Sequence, residues 1–440
     1  MMKIRKLIGL ILLFALLLTS FSGCGSDKWE EIGETTEQVT LPVFWIDTES
    51  GREIESTKEY IEMTLTVKND PRQNVLHQGL SGKIKGRGNS TWNFCEKKSY
   101  RVKMSKGVDF LGAGENANKD WALISCAREK SFLRNYAMLY LAGALQMEAV
   151  SDCAFVQVYL NGEYVGLYML CETVEFGNGR LDLEDDRADV DNSYLLELDK
   201  RAKSDAESEL EYFYVNDWAV PFAIKSHVEN QEQNDFIKSY MEKADDAILS
   251  GDRAEIEALV DLESLVDMYL LQEFSKNRDV GFSSFYLYKP AGEKLKCGFP
   301  WDFDLALGND SGEDRLAEEN SPKVNYSGTE GLVAAVLNRW FAALCANDWF
   351  LELAADRWQS TVSPAVENMV VEVVKKGYAM ENEAKKNYNR WKIMGKKQLF
   401  EPTRVVLITS YTGQVDYLAD WMMGRKEWLD EYFKEAVCKT

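Results

Sequence analysis

Two hydrophobic periods divide this chain of 440 residues. Between residues 41 and about 185 apolar positions tend to alternate, the period of a half-buried strand. Leu41-Pro42-Val43-Phe44-Trp45-Ile46 and Met63-Thr64-Leu65-Thr66-Val67 predict strands, and Phe155 to Leu160 and Tyr164 to Leu170 flank Asn161-Gly162, a hairpin signal. One helix interrupts them, with Phe132, Tyr136, Leu139, Tyr140 and Leu141 near helical spacing behind Lys130-Ser131 as its cap. From about residue 230 the spacing becomes three and four. Leu262, Leu265, Val266, Tyr269, Leu270 and Phe274 form one face, Val333, Val336, Leu337, Trp340, Phe341 and Leu344 a second, and Val415, Leu418, Met422, Trp428, Leu429 and Phe433 a third. Such stripes serve packing. The pattern predicts an α+β chain, β-rich over 41–185 and mainly helical over 186–440, with no internal repeat.

The first residues obey neither period. Lys3, Arg5 and Lys6 precede an apolar run from Leu7 to Leu18, then Thr19-Ser20-Phe21-Ser22-Gly23-Cys24. A basic stretch, a dozen apolar residues and a small-residue site form an export leader, too short to span a bilayer as a mature helix. A small residue directly before Cys24 is similar to a bacterial lipoprotein signal, which implies cleavage after residue 23 and lipid on the Cys24 sulfur. Residues 24–40 are then a polar tether and the body is exported, held on the extracytoplasmic face of a membrane. Losing Lys3, Arg5 and Lys6 takes the formal charge from −21 to about −24. That surface repels nucleic acid and anionic lipid and favours a basic protein partner.

Eight cysteines contain no Cys-x-x-Cys pair, and lipid on Cys24 leaves an odd seven. Contexts such as Cys153-Ala154-Phe155-Val156 predict buried free thiols. The two histidines, His77 and His227, have no partner motif, which excludes zinc hydrolases built on paired histidines and Ser-His-Asp chemistry.

Carboxylates carry the candidate chemistry. Asp279 lies in Lys276-Asn277-Arg278-Asp279-Val280-Gly281-Phe282-Ser283-Ser284 and Asp302 in Pro300-Trp301-Asp302-Phe303-Asp304. Between them Phe285 to Lys289 and Lys294 to Gly298 read as a hairpin. Protein kinases use this layout, because phosphoryl transfer needs one carboxylate to orient and deprotonate the acceptor hydroxyl and another to hold the divalent ion bridging the phosphates. Asp279 is the candidate base and Asp302 the candidate metal ligand. Ser284 stands where kinases place asparagine for a second metal, a weaker oxygen ligand, and Asp304 offers a compensating carboxylate. For the phosphates, strand alternation puts Lys98 on the face of Tyr100, Val102 and Met104; a one-residue slip would give the role to Arg101. Arg87, before Gly88-Asn89-Ser90, could cover phosphates. Either Glu172 or Glu129 could pair with the lysine.

Several blocks, taken in order, resemble the CotH kinase family across about residues 41–435: Ile84 to Ser90, Lys97 to Lys103, Asp120 to Leu123, Phe132 to Asn135, Asn161 to Tyr168 with Glu172, and Trp301 to Asp304. The resemblance implies an atypical protein-kinase-like fold of two lobes, ATP with Mg²⁺ or Mn²⁺, and transfer to Ser or Thr of a protein at the cell surface. Relatives also include surface adhesion proteins, so a non-catalytic adhesive or assembly module is the alternative. A glycosidase built on the paired carboxylates lacks any sign of a sugar groove.

Overall fold

The alternating segments of the first half close on themselves. In this computed structural model, which describes residues 25–69, 77–111, 117–177, 180–183, 189–313 and 324–438, seven strands form a barrel: β1 (Val43–Thr48), β2 (Ile61–Lys68), β3 (Leu80–Arg87), β4 (Ser99–Val108), β5 (Asn118–Ile124), β6 (Cys153–Leu160) and β7 (Glu163–Glu172). Their order is β1-β2-β3-β4-β5-β7-β6, and β1 pairs parallel with β6 to close the ring. In β2, Ile61, Met63, Leu65 and Val67 point inward while Glu62 and Thr64 face solvent. Phe44, Ile84, Val102, Trp121, Val158 and Leu170 fill the same interior. The β6–β7 turn runs through Asn161 and Gly162, both at positive φ, as a twisted two-residue hairpin requires.

The second half is richer in strands than its sequence suggests. A five-stranded antiparallel sheet, ordered β12-β11-β8-β10-β9, combines β8 (Tyr194–Leu198), β9 (Tyr212–Phe213) and β10 (Phe222–Ile224) with the expected hairpin β11 (Phe285–Lys289) and β12 (Lys296–Cys297). The helices Gln231–Ser250 and Leu262–Ser275 pack on it, and Tyr411–Cys438 packs on Leu262–Ser275 and on Ser363–Ala379. Asn230 and Asp261 cap the first two through their side chains. The helix within the β-rich half, Arg134–Ala144, packs on Ser363–Ala379 and Leu262–Ser275, so one apolar core runs from the outside of the barrel into the helices. The chain therefore has a β-rich first half and a largely helical second half.

Two stretches depart from the sequence reading. The single helical face expected over Val333 to Leu344 is broken into Ala334–Leu337 and Arg339–Leu344, because the Asn338 carboxamide accepts from Trp340 N and donates to Val280 O at 2.8 Å. Residues 25–34, expected within a tether, form a helix with Trp29 only 2% exposed and its indole donating to Asp420 at 2.6 Å. A Cβ on Gly33 would meet the Tyr378 ring at 2.1 Å, so only glycine lets that helix sit so close. The leader and Cys24 lie outside the described residues. Among those residues no helix is long and apolar enough to cross a membrane.

Candidate active site

Two loops meet where the barrel faces the sheet. The Asp279 loop leaves helix Leu262–Ser275 at Lys276, in the left-handed conformation, and makes one 3-10 turn, Arg278–Gly281. Asn277 Oδ1 accepts from Asp279 N at 3.0 Å, and the Asp279 carbonyl accepts from Phe282 N and Ser283 N. Gly281 is obligatory: a Cβ there would stand 2.2 Å from the Leu337 carbonyl oxygen. Buried Arg278 pairs with buried Asp310 at 3.1 Å, tying this loop to the other. Register then sets Tyr286 opposite Glu197, so the loop opens beside the end of β8.

The Asp302 loop is held from the opposite side. Phe303 N donates to Asn135 Oδ1 at 2.8 Å and the Arg134 guanidinium to Ala306 O at 3.2 Å, both from the start of the Arg134–Ala144 helix. Asn309 Nδ2 donates to Asp304 O at 2.7 Å and to Arg128 O at 3.0 Å. Asp302 itself sits at φ +64° and Ser284 at +56°, strained values for residues with a Cβ that persist only where the surroundings enforce them.

The loops border a cleft of about 510 Å³ whose lining includes Arg87, Arg128, Asp279, Ser284, Asp302 and Asp304. Asp302 opens to this cleft although protein surrounds it in depth, and the lost solvation raises its pKa against the pull of Arg87, Arg128 and a hydrogen bond with Asp304. Burial raises Asp304 much further, and the Asp302 charge adds to it, as does Asp279 more weakly. Asp302 and Asp279 thus both act on Asp304 across one space. Two other acids of the lining are paired, Glu197 with Lys225 at 3.1 Å and Asp199 with Arg201 at 3.4 Å.

The remaining residues singled out in the sequence are spread apart. Arg87 reaches the cleft, its guanidinium 5.0 Å over the Trp301 ring. Lys98 is not among the cleft-lining residues: β4 begins only at Ser99, and the Lys98 ammonium donates to Trp92 O. Its neighbour Lys97 is the buried lysine, donating to Ser125 O and Leu167 O, and burial pushes it down to about 7. Arg101 lies on the barrel wall with Asp120 at 2.9 Å and Glu175 at 3.4 Å. Glu172 accepts from Asp152 N and pairs with Arg180 at 3.6 Å, and Glu129 pairs with Arg134 at 2.9 Å. No lysine meets either glutamate among the ion pairs of the described residues.

Arg128 went unnoticed in the sequence. It is 2% exposed and lines the cleft, yet its Nε and Nη2 have no hydrogen-bond partner. Nothing periodic marks it; the one signal is a cation in Cys126-Ala127-Arg128-Glu129, just past the end of β5.

Among the described residues no group of three or more His, Cys, Asp or Glu could enclose a metal alone. Mg²⁺ characteristically takes one or two carboxylates and completes its shell with phosphate and water, so the donor pair Asp302 and Asp304, with an unpartnered guanidinium beside it, fits a metal–polyphosphate ligand. No curated protein matches the chain. A family model described as CotH kinase protein matches residues 84–429, most of the chain, and this family suggests a protein-kinase-like function. The barrel's later strands, both carboxylate loops and the helices Leu262–Ser275 and Ser363–Ala379 fall inside that match, and the chain belongs to the CotH kinase protein family.

Proposed function

We propose that this protein is an exported, lipid-anchored kinase with an atypical two-lobe kinase-like fold, which transfers the γ-phosphoryl group of ATP to Ser or Thr of a protein at the cell surface. The observation that carries this reading is the convergence of Asp279, Asp302 and Asp304 on one cleft. A bound Mg²⁺ or Mn²⁺ would neutralise phosphate charge as the P–O bond breaks. Asp302 would hold it, with Asp304 as a second carboxylate, and Ser284 would offer a weaker oxygen. Asp279, fixed by Asn277 on a loop with a required glycine, orients the acceptor hydroxyl and takes its proton. The lipoprotein leader and the net charge of −21 favour a substrate that is a basic protein on the extracytoplasmic side.

The test is transfer from γ-labelled ATP to an added acceptor protein or to the chain itself. Asp279→Asn is expected to keep nucleotide affinity while transfer falls about a hundredfold or more. Equal transfer by Asp279→Asn and wild type overturns the base assignment. Absence of transfer by wild type with either metal gives the reading to a surface adhesion or assembly module, which the serine at position 284 would suit.

A further inference from the structure

Arg128 stands in an unusual state for a cation. Burying a guanidinium without partners is unfavourable, so a buried arginine with two unpartnered nitrogens calls for an explanation. Here the two nitrogens Nε and Nη2 are left without partners, although the residue is only 2% exposed. The rest of the group is positioned: its plane centre lies 5.9 Å from the Phe400 ring. Its backbone is equally fixed. Asn309 Nδ2 holds the Arg128 and Asp304 carbonyls together, so the unpartnered donors and the carboxylate pair keep a constant relation.

Resting on the kinase reading above, we infer that Arg128 is the residue that binds the phosphate oxygens of the donor, the part first given to Lys98 on sequence grounds. Nε and Nη2 present two parallel N–H donors, the fork that matches two oxygens of a phosphate. A phosphate there would complete the hydrogen bonding of Arg128, while a cation held by Asp302 and Asp304 would take other oxygens of the same ligand. Arg87, over the Trp301 ring and also lining the cleft, supplies a second charge. The ligand is therefore recognised through its polyphosphate end, and inorganic tripolyphosphate should occupy the same place as ATP.

The experiment measures Mg²⁺–ATP and Mg²⁺–tripolyphosphate binding by calorimetry, and Tm without ligand, for wild type, Arg128→Gln, Arg128→Lys and Arg101→Gln. Tripolyphosphate binding by wild type, about tenfold or more weaker in Arg128→Gln and partly restored in Arg128→Lys, is the expected result. Without ligand, Arg128→Gln should melt at the same temperature as wild type or higher, because a buried unpartnered charge has been removed. A merely structural arginine would instead lower Tm. Arg101→Gln, on the outer wall, should bind as wild type does. Equal affinity of wild type and Arg128→Gln overturns the assignment even if transfer from ATP persists. Failure of wild type to bind either ligand removes both it and the kinase reading.

Discussion

The behaviour of single carboxyl groups decides whether the cleft works as proposed. Asp302 and Asp304 both hold protons more tightly than free aspartates, mainly because they are desolvated. A divalent cation binds only the deprotonated pair, so apparent affinity for Mg²⁺–ATP should strengthen as pH rises, and binding should release protons. Calorimetry in two buffers of different ionisation enthalpy measures this directly. Asp302→Asn should bind metal and nucleotide far more weakly at every pH, with a melting temperature without ligand equal to that of wild type or higher. Full binding by that variant would pass the ligand role to Asp304. Residue chemistry explains what could be read beforehand. Asp279 and Asp302 flank a hairpin, so their proximity was legible from spacing alone. Lys98 was placed by extending strand alternation one residue before the strand begins at Ser99. Arg128 follows a strand and precedes a helix, where no period operates, and only its unmade hydrogen bonds distinguish it.

Elements act here through the cations at their ends. Lys276, the left-handed residue that ends helix Leu262–Ser275, donates to the carbonyls of Asn325, Gly328 and Glu330, one ammonium matched to three acceptors. Arg425, from the last helix, holds Thr329 O and Gly331 O at 2.7 and 2.8 Å, together with Glu273 at 2.9 Å. The segment 325–331 is thus held by Arg425 and by Lys276, which lies three residues before Asp279. Lys276→Gln should leave carbonyls unpaired, lower stability on the order of 2–3 kcal/mol, and raise hydrogen exchange in 325–331 more than elsewhere. Uniform exchange changes would deny the segment a dedicated anchor. The same scale shows why the five-stranded sheet escaped the sequence reading. β9 and β12 have two residues each and β10 three, too few to display a period, and β8 is buried along its whole length, so Tyr194 to Leu198 never alternates.

Across the whole molecule, the first described helix is bound to the last. Helix Gly25–Glu34 sits on Tyr378, whose hydroxyl donates to Asp416 at 3.0 Å, and on Asp420. Burial pushes Asp416 up to about 6, opposed by the Tyr378 hydrogen bond and helped by Asp420 and Glu30. An unfolded aspartate releases its proton near 3.9, so between that value and about 6 the folded chain holds a proton the unfolded chain lacks. This site's stability falls as pH rises through that window, and the penalty is complete above it. Asp416→Asn should therefore be more stable than wild type at pH 7, with the difference shrinking toward pH 4. A difference independent of pH would show that Asp416 does not titrate there.

Docking of that helix also sets how far the cleft can travel if lipid is attached at Cys24. A free strand of the expected tether length would let the body search a broad shell of space above a bilayer. Ten helical residues span only about 15 Å, and Trp29 clamps them to the body. The cleft would then meet only partners that come to the bilayer surface, in a narrow range of orientations. Replacing Trp29 with alanine would lengthen the leash and widen the set of surface proteins within reach.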